Sequence, residues 1–274
     1  MPELPEVETV RRTLEQLVLG KTIRTVEVRW PKMIKRPDDA HIFSSKLQGE
    51  TIHSVGRRGK FLLFYLDHYT LVSHLRMEGR YGLYSKEEPA DKHTHVLISF
   101  TDETELRYRD VRKFGTMHLF NKGEELLSLP LSQLGPEPFS EEFTVDYLKS
   151  VLKQSERPIK ALLLDQTKLV GLGNIYVDEA LFRSGIHPSR KANRIKNKEI
   201  EKLHHEIVDT LQEAVDQGGS TIRSYVNSQG QIGMFQQQLY VYGRKGEECR
   251  HCGRPIEKLV VAGRGTHICS ACQA

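Results

Sequence analysis

Four cysteines carry the plainest chemistry in this chain. Cys249, Cys252, Cys269 and Cys272 form two Cys-x2-Cys pairs in the last 26 residues, and the rest of the chain has none. Two such knuckles supply four thiolates, the donor set of a tetrahedral structural zinc site with no open position for catalysis. Two disulfides or an iron–sulfur cluster could use the same residues. A disulfide-stapled secreted chain would spread its cysteines, so the clustering points to metal and a reducing compartment. Between the knuckles, residues 255–268 read as a β-hairpin with Gly263-Arg264-Gly265 at its tip, where an arginine can reach a phosphate or simply be solvated. The other end of the chain reads MPELPEVETV. Loss of Met1 would leave Pro2 with a free secondary amine, a nucleophile, and Glu3 and Glu6 lie within a turn of it. A plain N-terminal helix is the alternative, since Leu4, Val7, Val10 and Leu14 recur at helical spacing and Pro and Glu suit a first turn.

Two further stretches suit a polyanion. RYRDVRKFGTM (107–117) gathers basic residues around Phe114. On an extended segment Arg112 and Phe114 would point to one side, the chemistry for wedging into a base stack, and Met77 in HLRMEGR could be a second wedge. Both could equally be core residues. Val170-Gly171-Leu172-Gly173-Asn174 brings backbone and a helix N-terminus together, which suits an anion or is simply a glycine turn between helices.

These groups need a scaffold. The chain has 274 residues, 38% hydrophobic and 28% charged, and a net charge of +4. That is an ordinary globular composition, long enough for two domains. The longest apolar run, 61–66, is far short of the ~20 residues that span a bilayer, and the acidic start is neither a secretory signal nor a transit peptide. A basic stretch at 187–202 follows an acidic one at 137–146, as on a protein with one face toward a polyanion, though a solvated helix surface would look the same. Strands are predicted at 22–29, 60–66, 70–76, 95–100, 104–109 and 116–120, which favours an antiparallel sandwich or barrel. Residues 134–142 hold two prolines, a glycine and acids and read as a linker. Helices are predicted over 144–153, 158–165, 174–185 with Asn174 as N-cap, and 199–219. A polar, Gly-containing loop follows at 219–238.

The pieces together resemble the bacterial formamidopyrimidine-DNA glycosylases. The motifs are PELPEVET, RRGKFL, HLRMEGR, RDVRKFGT, LGPEP, GNIYVDE, YVYGR and the four-cysteine tail with GRGTH, in order over the whole chain. The resemblance implies an α+β fold: an N-terminal antiparallel β-sandwich with flanking helices (1–133), a linker (134–143), a helix–two-turns–helix domain with a damage-recognition loop (144–238) and a zinc finger (239–274). It implies a base-excision-repair enzyme that flips out and excises oxidised purines, 8-oxoguanine opposite cytosine and formamidopyrimidines. A Schiff base on the N-terminal proline and strand cleavage by β,δ-elimination would follow.

The implied roles fall on matching positions. Pro2 is the nucleophile and Glu3 the general acid/base, with Glu6 a positioning residue. Lys60 and Arg264 grip phosphates and assist elimination. Met77, Arg112 and Phe114 fill the vacated stack. His74, His93, Lys160, Asn174, Ser220, Arg223 and Tyr242 bind DNA, with Ser220 and the backbone at 221–225 reading the damaged base. Many relatives carry several lysines near 155, where this chain has KQSER (153–157), so no lysine contact with DNA is expected at 154–156 and Lys160 alone is kept from this stretch. One structural Zn2+ and no organic cofactor are expected, in a cytoplasmic bacterial monomer whose partner is double-stranded DNA with an oxidised purine or abasic site, and no membrane. The endonuclease VIII type shares the proline and zinc finger, but its start typically reads PEGPE and it lacks the Met–Arg–Phe wedge. A non-catalytic DNA-binding protein of the same fold would have no reason to keep Pro2, Glu3, Lys60 and Arg264.

Overall fold

Helix α1 (Leu4–Val18) begins where the prolines and acids predict, and it buries Leu4, Val7, Val10, Leu14 and Val18 on one face. In the computed structural model, which describes residues 1–220 and 233–274, this helix belongs to the first of two units, Met1–Gln133 with Gly218–Gly233. The second unit is Leu134–Gln217 with Met234–Ala274.

The first unit is a sandwich. One sheet orders its strands β1-β7-β8-β6, from β1 (Ile23–Val28), β6 (Arg80–Ser85), β7 (Thr94–Phe100) and β8 (Thr104–Arg109). The other orders β2-β9-β5-β4-β3, from β2 (Ile34–Arg36), β3 (Ser54–Arg58), β4 (Phe61–Tyr65), β5 (Tyr69–His74) and β9 (Thr116–Asn121). Val96, Ile98, Leu106 and Tyr108 of one sheet share a core with Val55, Phe64, Leu71 and Met117 of the other and with the buried face of α1. The sandwich is antiparallel except at its edge, where β2 runs parallel to β9. Periodicity in the sequence missed β2, β3, β6 and helix α2 (Ala40–Leu47). β2 has three residues, β3 and β6 each carry a glycine and few fully buried positions, and α2 rests on a local cap, Asp39 accepting from the amides of His41 and Ile42. Such short elements are held by pairing and packing rather than by pattern.

In the second unit, α3 (Val145–Lys153) is capped by Thr144, whose hydroxyl accepts from Tyr147 N at 3.0 Å. α4 (Ile159–Leu163) and α5 (Asn174–Ser184) follow, and α6 (Asn197–Asp216) buries Ile200, Leu203, Ile207, Leu211, Ala214 and Val215 on its expected face. Asn174 is not the N-cap. Gly173 takes that place, so Asn174 enters the first turn with its side chain available for another role. Residues 134–143 are packed against this unit: Gly135 N donates to Gln166 O, Val170 N to Pro136 O, and Phe143 is buried beneath His204. The tail forms a hairpin of β10 (Glu257–Val261) and β11 (Arg264–Ile268). Its tip is Ala262-Gly263, with φ 48° and 74°, the two left-handed residues of a type I′ turn. Arg264 therefore opens β11 instead of forming the tip. Among the described residues no helix is long and apolar enough to cross a membrane.

Candidate active site

The start of α1 gathers three of the expected residues. Pro2 is buried, and Glu3 is the extended N-cap residue, only 2% exposed. Glu6 uses both carboxylate oxygens: Oε2 accepts from Glu3 N at 2.8 Å, and Oε1 accepts from Ser220 N at 2.8 Å and Ser220 Oγ at 3.2 Å. These donors fix the orientation of the Glu6 carboxyl at the first turn of α1. The contact is close because Gly219, at φ 78°, has no side chain; a Cβ there would lie 2.8 Å from Glu6 Oε1. The root of the polar loop is thus bonded to the same helical turn that carries Pro2 and Glu3. Sequence assigned this loop to the helical domain, whereas Gly218–Gly233 groups with the sandwich. Arg223 and the rest of 221–232 lie outside the described residues.

Lys60 and His74 form a second group in this unit. Lys60 sits in the β3–β4 turn, 5% exposed, and His74 ends β5, 7% exposed. Burial, with the positive charges of Arg76 and Lys60, pushes the His74 imidazole down to about 3. The ring is therefore neutral near pH 7. Its Nδ1 accepts from Arg76 N at 2.9 Å, which leaves Nε2 as the protonated nitrogen, a hydrogen-bond donor.

Arg112 and Phe114 do sit together, but strand alternation is not the cause. They lie in the β8–β9 turn, where the Arg112 guanidinium stacks 4.7 Å from the Phe114 ring centroid and Lys113 adopts φ 58°. Asp110, fully buried, organises the turn: Oδ1 accepts from Arg112 N, and Oδ2 accepts from Phe114 N and Gly115 N. Asp110 N donates in turn to His93 O, so His93 supports the turn through its backbone. Phe114 is 51% exposed and Met77 38%, a cost accepted by neither as a core residue. Tyr108 joins their two loops. Its hydroxyl fills the space where a Cβ on Gly79 (2.0 Å) or Gly115 (1.8 Å) would stand. Asp110 was legible in the sequence as an acid two residues before Arg112, a frequent turn initiator. Tyr108 gave no such signal.

In the second unit Lys160 meets a different fate from the one its motif implies. Its side chain is fully buried, and the ammonium donates to Asp178 Oδ1 (2.7 Å), Thr266 Oγ1 (2.8 Å) and Gly265 O (3.1 Å). An external phosphate does not reach it; Lys160 is a post under the hairpin that carries Arg264. Asp178 Oδ2 accepts from His267 N, and Asn174 Nδ2 donates to Gly265 O at 2.9 Å. The neighbouring Glu179, also fully buried, accepts from the amides of Tyr240, Val241 and Tyr242. Burial raises its pKa while those three amides oppose the rise. Tyr242 packs edge-on against His267, ring centroids 5.0 Å apart. Two adjacent acids of α5 thus hold both approaches to the hairpin, and Arg264 itself is exposed. In the 153–157 segment Lys153 donates to Ile195 O at 2.6 Å and Arg157 pairs with Asp165 at 2.9 Å. In the basic stretch Arg190 pairs with Glu199, and Lys191 with Glu156.

The four cysteine sulfurs all lie within 4.8 Å of one another, Cys249–Cys272 at 3.9 Å and Cys252–Cys269 at 3.4 Å. Four sulfurs held about 2.3 Å from a tetrahedral centre would be about 3.8 Å apart. The set fits one structural zinc ion, with all four positions taken by protein.

Three family models match the chain: the formamidopyrimidine-DNA glycosylase N-terminal domain over residues 1–117, the H2TH domain of the same proteins over 134–226, and a zinc finger found in FPG and IleRS over 246–274. A formamidopyrimidine-DNA glycosylase of Bacillus subtilis is 67% identical over 273 residues, covering 100% of this chain and 99% of its own. One from Shouchella clausii is 64% identical over the same span. Among solved structures, Lactococcus lactis Fpg bound to DNA containing N7-benzyl-Fapy-dG is 44% identical, with a TM-score of 0.93 and 99% of both chains covered. The same protein with DNA containing an abasic site is 43% identical, also at 0.93.

Proposed function

The chain belongs to the formamidopyrimidine-DNA glycosylase family, and from that premise we propose that it is bifunctional, excising oxidised purines and then cutting the strand as an AP lyase. The glycosylase activity on damaged bases comes with the family. The Schiff base, the lyase step and the residue roles are the reading argued here, with duplex DNA bearing an oxidised purine or an abasic site as substrate.

The supporting observation is the buried Glu3 carboxyl beside Pro2 at the N-terminus of α1. With Met1 removed, Pro2 offers a secondary amine; the positive end of the helix disfavours its protonated form, and the nearby Glu3 and Glu6 favour it. The neutral amine attacks C1′ of the extruded nucleotide. The bond from C1′ to the base breaks, and Glu3 supplies the proton at the sugar or base. The C1′–O4′ bond then breaks, O4′ takes the proton that Glu3 relays from the amine, and the opened sugar is held as an iminium that keeps its positive charge at any pH. It withdraws electrons from C1′, so the C2′ proton becomes removable. β-Elimination expels the 3′ phosphate and δ-elimination the 5′ phosphate, leaving a gap with phosphate at both ends.

The remaining roles follow the chemistry of each group. Lys60, neutral His74 through Nε2–H, Asn174, Tyr242 and Arg264 hold phosphates on the damaged strand. Met77, Arg112 and Phe114 occupy the space left by the extruded base. Ser220 and Arg223 belong to the segment that reads that base, and His93 contacts DNA beside the wedge turn. Lys160 acts through the hairpin.

The test is borohydride trapping on a duplex with 8-oxoguanine opposite cytosine. A covalent adduct on Pro2, absent when Met1 is retained, is the expected result. Base release with no adduct would replace Pro2 by water as nucleophile and overturn the lyase assignment. Glu3→Gln should bind damaged duplex and fail to excise.

A further inference from the structure

A group of cations beside the wedge turn has no part in the chemistry above. Lys32, Lys35 and Arg36 lie on the segment leading into and along edge strand β2, Arg76 precedes Met77, and Lys113 lies between Arg112 and Phe114. All five are exposed, and none has a carboxylate within ion-pair distance among the described residues. The other sheet behaves differently. There Arg24 pairs with Glu103, Arg29 with Glu27, Arg107 with Glu105 and Arg109 with Asp91.

Three of these cations, Lys32, Arg36 and Lys113, are held against aromatic faces. Lys113 Nζ lies 4.2 Å and Lys32 Nζ 5.6 Å from the Trp30 ring centroid, which links the wedge turn to the 30–33 segment. The Arg36 guanidinium lies 4.7 Å from the centroid of Phe120. His118, opposite Arg36 in the β2–β9 register, stacks on Phe120 with the rings 5° from parallel. Its Nδ1 is buried without a hydrogen-bond partner among the described residues. Burial, and then the charges of Lys35, Arg36 and Arg76, push this imidazole down to about 4. These cations lie along one edge, and among the described residues none of them is in an ion pair. Stacking on aromatic rings limits the entropy lost when such heads meet a ligand.

We propose that Lys32, Lys35, Arg36, Arg76 and Lys113 form a second phosphate-binding strip that grips duplex DNA alongside the wedge turn, away from the reacting sugar. The inference rests on the DNA-glycosylase reading. The strip lengthens the duplex footprint along the β2 edge and anchors the wedge turn through Lys113 and Trp30. It adds affinity for any sequence, because phosphates carry no sequence information.

The test compares the full-length, zinc-loaded parent with Lys35→Gln/Arg36→Gln on damaged and undamaged duplexes. Binding is measured against salt concentration. Loss of two phosphate contacts should reduce the slope of log K against log salt by about 1.8 on both duplexes. The excision rate at saturating DNA should not change. Lys32→Gln/Lys113→Gln should give a similar fall in slope, and Arg24→Gln, whose partner is Glu103, should give none. In the parent, duplex binding should raise the His118 pKa, read by NMR, as phosphates offset the nearby cations. An unchanged slope in both double variants overturns the strip, as does an equal loss in Arg24→Gln. A parent that bound no duplex would instead overturn the DNA-glycosylase reading itself, so the two failures are distinguishable.

Discussion

Replacing Lys160 by methionine separates a phosphate contact from a buried post. The ammonium has three acceptors and no exposure, and its main partner, Asp178, is likewise fully buried. Methionine keeps the volume and removes the charge. Asp178 would keep His267 N as a donor but lose its cation. Breaking a buried pair on one side costs about 3–5 kcal/mol, a large fraction of the 5–15 kcal/mol typical of a whole domain. The loss should fall on the second unit. The only tryptophan, Trp30, is in the first unit, so its fluorescence transition in urea should hold while the helical circular dichroism transition moves to lower urea. Adding Asp178→Leu removes the stranded charge. About half of the lost stability should return, because His267 N is then left without an acceptor at a cost of about 1–3 kcal/mol. The reasoning fails if Lys160→Met unfolds like the parent yet binds duplex with a salt slope lower by about 0.9, the signature of a lost phosphate contact.

Glu6→Gln offers one oxygen where two acceptors are needed, so an amide NH2 must face either Glu3 N or Ser220 N. The loss of about 2–3 kcal/mol should slow excision of 8-oxoguanine by roughly 30- to 150-fold. Cleavage at a preformed abasic site, which has no base to read, should slow less; equal slowing would disconnect Glu6 from the loop. Cys269→Ser should take bound zinc from one ion per chain to none, measured by atomic absorption, and weaken duplex binding through Arg264; full affinity without zinc would show that the finger does not hold Arg264 in place. For pH, the His74 pKa is depressed from 6.5 to about 3 on folding, so the unfolded chain binds the extra proton first as pH falls. Stability should be complete above pH 6.5 and decline below it, by about 2 kcal/mol near pH 5 from this residue. His74→Asn should flatten that decline, and a chemical-denaturation series over pH checks it.

The zinc ligands, the helical start and the family were legible in the sequence because their information is local or carried by whole motifs. Cys-x2-Cys spacing fixes a ligand set, the apolar repeat from Leu4 to Leu14 fixes a buried helix face, and the ordered motifs identify the family with its sheet-and-helix fold. Other features depend on partners far along the chain. Lys160 looks like any surface lysine until Asp178 and Thr266 surround it, 18 and 106 residues away. Glu6 meets Ser220 across 214 residues. Arg112 and Phe114, by contrast, share a side through a local turn built by Asp110, where strand alternation would have given the same pairing for the wrong reason. β2 has three residues and exists because β9 offers it hydrogen bonds. A residue's type and spacing fix what it can do chemically. Whether a charge faces solvent, a phosphate or a buried partner depends on which distant segments desolvate it, and only the tertiary structure decides that.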